Sequence, residues 1–270
     1  MKILLSSVAM CLAAIPAAAQ DTAPPPPVTV SGSVAIVSDY RFRGVSQSDE
    51  EAAIQGGLTV SHESGLYVGT WASNLAGWGT FGGANMELDL IGGFKKPIGN
   101  GGTIDVGVTW YMYPGGASNT DFAEPYAKLS GTLGPASLTA GVAYAPKQEA
   151  LGNFSATRNS RGQSKDNLYL WGDGAVAIPG TPLTGKAHLG YSHGNPGLGP
   201  NGTSVTPTGE YFDWMLGVDA ALGRLTLSAN YIDTDISRRE SAYLLPNFSS
   251  TKDGGSIAGS TVVFSISAAF

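Results

Sequence analysis

The chain has 270 residues, a formal net charge of −6 and only 13% charged residues. The acidic balance and the lack of a basic stripe exclude a nucleic-acid-binding protein. Beyond the first residues no apolar run reaches the roughly 18 residues of a membrane-crossing helix, yet short alternating segments fill the chain, as they do in transmembrane barrels.

Residues 1–19 read as a signal peptide. Lys2 supplies a positive start, an apolar stretch runs from Ile3 to Ile15, and Ala17-Ala18-Ala19 has the small-x-small spacing of a cleavage site between Ala19 and Gln20. The only cysteine, Cys11, lies in this segment behind Met10, which is too large for lipidation at that cysteine. The mature chain therefore has no disulfide and no thiolate metal site, and no cofactor is expected. Residues 20–27 end in four prolines, which cannot join a sheet ladder, and are expected to form an extended periplasmic lead-in.

From Val28 the hydrophobic period is two. In the first segment Val34, Ile36, Ser38, Tyr40 and Phe42 share one face, and Ser33, Asp39, Arg41 and Arg43 the other. Strands are expected at 29–42, 52–63, 65–75, 84–95, 103–113, 122–131, 136–146, 166–178, 183–193, 210–221, 224–235 and 258–270. Twelve is an even count, as single-chain bacterial barrels require. The connections alternate strictly. Short ones lie at Glu63-Ser64-Gly65, Pro97 to Gly102, Thr132 to Pro135, Pro179 to Pro182 and Leu222-Gly223; long ones lie at 43–51, 76–83, 114–121, 147–165, 194–209 and 236–257. The expected fold is thus all-β: a transmembrane antiparallel up-and-down barrel over 28–270, with about 12 strands, short periplasmic turns and long extracellular loops.

Aromatic residues gather at the ends of these segments, as an interfacial girdle would place them. Tyr40, Phe42, Trp110, Tyr144, Tyr191, Trp214 and Tyr231 fall at the outer ends, and Phe94 and Phe270 at the periplasmic ends. In the last segment Val262, Phe264, Ile266, Ala268 and Phe270 alternate with Ser265 and Ser267. A terminal aromatic after such alternation resembles the signal that barrel-assembly machinery reads, with Phe264, Ile266 and Phe270 as its apolar face. Closure onto the first strand would remove a free hydrophobic edge.

The opposite face should line the lumen, because charges are costly against lipid. The candidates are Asp39, Arg41, Arg43, Glu87, Asp89, Asp105, Glu124, Tyr126, Lys128, Asp173, Lys186, His188, Asp213 and Asp219. These charges of both signs can line an aqueous constriction or pair with one another and fill the barrel. Twelve strands fall between the filled eight-stranded barrels and the open sixteen-stranded ones, and a narrow or partly occluded pore is the favoured expectation. Arg41 and Arg43 can hold anionic solutes, but a structural pairing with Asp39, Asp49 or Glu50 is favoured. The histidines, His62, His188 and His193, are spread along the chain; His188 could meet Asp173 only if the fold joins them, so neither catalysis nor a metal site is expected. The loop at 147–165, with Lys147, Arg158, Arg161 and Lys165, reads as a solvated outer loop that could also meet anionic lipopolysaccharide.

Residues 38–74 resemble the N-terminal signature of the TorF family of porin-like proteins, long catalogued as bacterial proteins of unknown function. The resemblance rests on the run Ser38 to Gln47 (SDYRFRGVSQ) and on Gly65 to Trp71 (GLYVGTW), with looser likeness at 87–94 (ELDLIGGF) and at Glu124-Pro125-Tyr126. It implies an outer-membrane, pore-forming barrel, with no substrate and no catalytic residues to carry over. The resulting expectation is a porin, not an enzyme, exported to the bacterial outer membrane. It would pass small hydrophilic solutes or ions and sit in outer-membrane lipid and lipopolysaccharide. The alternative is a non-conducting barrel that acts through its outer loops.

Overall fold

A computed structural model describes residues 26–99, 101–152, 162–195, 205–240 and 248–270. The expected signal peptide, its cleavage site at Ala19 and Gln20, most of the lead-in, and Arg158 and Arg161 lie outside the described residues.

Twelve strands form the wall: β1 (Val28–Val37), β4 (Ala53–His62), β5 (Leu66–Asn74), β6 (Met86–Pro97), β7 (Thr103–Met112), β8 (Phe122–Leu133), β9 (Ala136–Gln148), β10 (Lys165–Ala177), β11 (Leu183–Gly194), β12 (Glu210–Leu222), β13 (Leu225–Thr234) and β14 (Thr261–Ala269). A two-residue pair, β2 (Arg41–Phe42) and β3 (Val45–Ser46), stands apart. Each wall strand pairs antiparallel with the next, and β14 pairs with β1 from Val37↔Ser265 to Ser33↔Ala269, so the sheet closes. Phe270 extends that seam, exchanging backbone hydrogen bonds of 2.8 and 2.9 Å with Gly32. Closure satisfies every ladder and leaves no free edge.

The period of two sorts the wall into two surfaces. Outward positions are aliphatic and exposed along whole strands; Val30, Val34 and Ile36 on β1, Leu216 and Val218 on β12, and Phe264 and Ile266 on β14 are examples. Such a continuous apolar belt is a surface for lipid. Trp110, Tyr144 and Tyr231 stand exposed at the long-loop ends and Phe270 at the opposite end, where a girdle places them. No helix among the described residues is long and apolar enough to cross a membrane, and the strands take that role.

Inward positions hold the charged residues and several glycines that make room for rings. Trp171 lies over its cross-strand partner Gly141, where a Cβ would overlap the indole. Tyr126 lies over Gly107 in the same way, 2.6 Å from where a Cβ would stand. Glycine at these positions leaves the space that the rings occupy.

Two expected strands differ by more than two residues at an end. The first strand does not continue to 42 but ends at Val37. There Ser38 leaves the ladder: its backbone N–H donates to the Phe264 carbonyl at 2.8 Å and its hydroxyl accepts from Phe264 N–H at 2.9 Å. The chain then turns into the barrel. Arg43 and Gly44 both have positive φ, 49° and 80°, and link the paired residues Phe42 and Val45. Two consecutive positive-φ residues make a type I′ hairpin turn. Tyr40 and Phe42 are therefore not outward girdle residues: Tyr40 is only 4% exposed, edge-on to Trp71, and Phe42 meets Tyr111 inside the barrel. The last strand begins at Thr261 rather than 258, because Ala258 is held in the loop, its carbonyl accepting from Thr234 Oγ1 at 2.7 Å.

Candidate functional site

The interior is graded along its axis. At the long-loop end the inward positions are closed by packing: Tyr40, Trp71, Leu75, Phe81, Tyr111, Tyr113 and Phe122 form one apolar cluster. Val45, Trp78, Tyr211, Phe248 and Ile257 form a second beside it. Toward the ends that carry the termini, inward positions turn small and partly exposed, as in Gly57, Thr59 and Ser61 on β4 or Gly141, Thr139 and Ser137 on β9. The lumen is thus a polar vestibule that meets an aromatic fill, a stopper that narrows the bore among the described residues. Between the two lies a cavity of about 300 Å³.

The stopper is built on the first loop, 38–52. Its frame is Asp39, whose carboxylate accepts from Arg41 Nε at 2.6 Å, Ser46 Oγ at 2.6 Å and Ser48 Oγ at 3.2 Å. Arg41 then ties the loop to the last one, donating through Nη1 to the carbonyls of Ile257 and Gly259 at 3.1 and 3.0 Å, and it meets Glu50 at 3.3 Å. Burial raises the Glu50 carboxyl above its ordinary value, and Arg41 draws it only part of the way back. Asp49 fixes the same two loops together, accepting from Thr251 N–H at 2.9 Å.

Arg43 goes the other way. Projected from the tip of the hairpin turn, it crosses the bore and donates twice through Nη2 to Glu124 on β8, at 2.8 and 2.7 Å, and through Nη1 to Asn167 on β10 at 2.8 Å. Its guanidinium also stacks 4.1 Å from the centre of the Tyr169 ring. Tyr111 adds a hydroxyl to Glu124 at 3.3 Å, and Tyr211 donates to the Arg43 carbonyl at 3.0 Å. A bidentate, stacked arginine at 6% side-chain exposure is a latch between loop and wall.

The remaining charges pair below it. Lys186 meets Asp219 at 2.7 Å and Lys128 meets Asp105 at 3.1 Å. Tyr67 donates to Asp105 at 2.7 Å and also contacts Tyr126 through its hydroxyl. The fold does join His188 to Asp173, since they are direct cross-strand partners with Nδ1 and Oδ1 2.6 Å apart. His188 Nε2 faces Asp213 at 3.1 Å and the Tyr169 hydroxyl at 2.8 Å.

Of the residues singled out in the sequence, Asp39, Arg41, Arg43, Glu124, Tyr126, Lys128, Asp173, Lys186, His188 and Asp213 border the cavity. Asp105 and Asp219 face inward and hold the lysines. Glu87 and Asp89 face inward too but lie within the aromatic fill, fully shielded; Tyr40 donates to Glu87 at 2.9 Å, and neither Asp89 oxygen has a hydrogen-bond partner among the described residues. Arg41 and Arg43 were expected on one face, but the turn sends Arg41 to the last loop and Arg43 to the wall at β8 and β10. Asn167, Tyr169 and Trp171 escaped the sequence reading, although their period-two spacing with Asp173 places all four on the inward face of β10. No group of three metal-ligating side chains occurs among the described residues.

The second loop locks the first. Ala76 N–H donates to the Gln47 carbonyl at 3.0 Å, and Gly79 lies so close to Gln47 that a Cβ there would stand 2.7 Å from Gln47 Cα and overlap its carbonyl. The obstruction is backbone and cannot rotate away. Gly79→Ala is therefore expected to loosen the stopper at a cost of about 1–3 kcal/mol, read as faster protease cleavage within 41–50; cleavage at the wild-type rate would contradict the lock.

The sequence profile of Gcw_chp, described as a bacterial protein of unknown function, matches residues 21–270. The chain belongs to the Gcw_chp family. No curated protein matches this Gcw_chp chain. Among solved structures it is similar to the KdgM porin in complex with disordered oligogalacturonate, at 7% identity and a TM-score of 0.52, over 90% of this chain and 99% of that one. It also aligns with the outer membrane channel DcaP of Acinetobacter baumannii, at 9% identity and a TM-score of 0.42, over 90% and 97% of the two chains. At such identity the KdgM likeness establishes a shared barrel fold.

Proposed function

We propose that this Gcw_chp protein is a narrow outer-membrane porin that lets small hydrophilic solutes diffuse through a mixed-charge lumen, with the first loop as its constriction. One observation carries the reading: the polar vestibule ends at a loop held across the bore by hydrogen bonds and ion pairs, led by Arg43 on Glu124. A barrel that served only as an anchor has no need of an interior built from charged pairs, which costs stability relative to an apolar one. The resemblance of residues 38–74 to the TorF proteins and the porin role of KdgM support the same reading. In it the long loops face outward toward lipopolysaccharide, the termini face the periplasm, and Phe264, Ile266 and Phe270 serve recognition by the assembly machinery.

The test is solute entry into proteoliposomes. Vesicles carrying the folded protein are expected to swell in glycerol and small sugars and not in a trisaccharide. Protein-containing vesicles as tight as empty ones would overturn the reading. That outcome would favour a non-conducting barrel acting through its outer loops, a role to which the apolar packing at the long-loop end is suited.

A further inference from the structure

We propose that the lumenal face of Trp171 is a stacking site for a neutral, polyhydroxylated ring of monosaccharide size. The proposal rests on the channel reading and names the solute class of the same lumen.

Three inward rings lie against the wall beside the cavity, each over a glycine of a neighbouring strand: Tyr126 over Gly107, Tyr169 over Gly190 and Trp171 over Gly141. Two of them carry a cation. Lys128 Nζ stands 4.5 Å from the centre of the Tyr126 ring, and the Arg43 guanidinium 4.1 Å from that of Tyr169. No cation covers Trp171 among the described residues. Its ring is stacked on that of Tyr169, at 5.5 Å and 19°, and it borders the cavity. The glycine beneath lets that ring lie close to the wall, where a Cβ would overlap it.

The polar groups around the two rings suit hydroxyls rather than ions. Every cation bordering the cavity is matched to a carboxylate: Arg41 to Asp39, Arg43 to Glu124, Lys128 to Asp105 and Lys186 to Asp219. An anionic ligand would have to break a shielded pair, which is costly. Two residues along the same face from Trp171, Asp173 gives one carboxylate oxygen to His188 at 2.6 Å and keeps the other to accept a hydroxyl. Asp173 and His188 are more open than those four pairs, with side chains 11% and 20% exposed. A sugar ring has one apolar C–H face and a rim of hydroxyls, and fits an aromatic plane edged by such acceptors. A cavity of about 300 Å³ is at the lower end of ligand-site sizes, which limits the occupant to a single ring.

The experiment is a titration of the refolded protein in detergent with D-glucose, followed by calorimetry and by intrinsic fluorescence. Saturable binding is expected, weakened roughly fivefold to tenfold by Trp171→Ala and largely kept by Trp171→Phe. Glucuronate and glucosamine are expected to bind no tighter than glucose. If Trp171→Ala does not fold, Gly141→Ala, which lifts the indole from its seat, should weaken binding instead. Absence of saturable binding, equal affinity in the folded variants, or tighter salt-dependent binding of a charged analogue would overturn the proposal. Glucose binding without permeation would sink the channel reading alone; permeation without glucose binding would sink this inference alone.

Discussion

Arg43→Ala is expected to destabilise the folded barrel by about 3–5 kcal/mol, the usual cost of leaving one member of a shielded ion pair without its partner. Removing the guanidinium strands Glu124, which is 3% exposed and among the described residues keeps the Tyr111 hydroxyl at 3.3 Å. It also removes the cation from the Tyr169 ring and the donor from Asn167. Urea unfolding in micelles would read the loss. A neutral, shape-filling double replacement, Arg43→Met with Glu124→Leu, should recover most of it, because the cost lies in the unpaired charge rather than in the absence of the pair. In the single variant the hairpin tip should also become open to protease at 41–46. A change below about 0.5 kcal/mol, the level of an ordinary surface substitution, would show that the latch is not holding the loop.

The second large effect belongs to the outer face. Leu216 is 62% exposed at the centre of β12, and Leu222, 52% exposed, closes the same strand. If the apolar belt lies in lipid, Leu216→Arg should cost about 2–4 kcal/mol and Leu222→Arg about 0–1 kcal/mol, since the penalty follows depth. Reversible folding into lipid vesicles measures both. Equal and small costs would mean that this surface faces water.

The barrel was legible in the sequence because its two strongest determinants are local. Alternation marks each strand, and turn length marks the direction of travel; neither needs a partner to be known. Ends that depend on distant contacts were not legible. Nothing in Tyr40 or Phe42 alone distinguishes an outward strand end from an inward loop, since the alternation continues through both. The decisive signal was Arg43-Gly44, a residue-glycine pair between Phe42 and Val45 that supports a two-residue hairpin turn. The lumen residues divide in the same way. Period two places Asp173 and Lys186 on the inward face, whereas their partners are set by register, which a slip of one residue would reverse. His188 meets Asp173 because β10 and β11 pair Asp173↔His188. Arg43 meets Glu124 and Asn167 through a loop that spans the bore, a contact no spacing rule contains.

In the proposed channel the first loop, between the vestibule and the fill, is the controlling element of the lumen. Single-channel recording of wild-type protein and Arg43→Ala, refolded side by side into planar bilayers, tests that claim most directly. Small discrete steps are expected for the wild type and a severalfold larger step for Arg43→Ala. Folded protein that conducts in neither form, or steps of equal size in both, would contradict the claim.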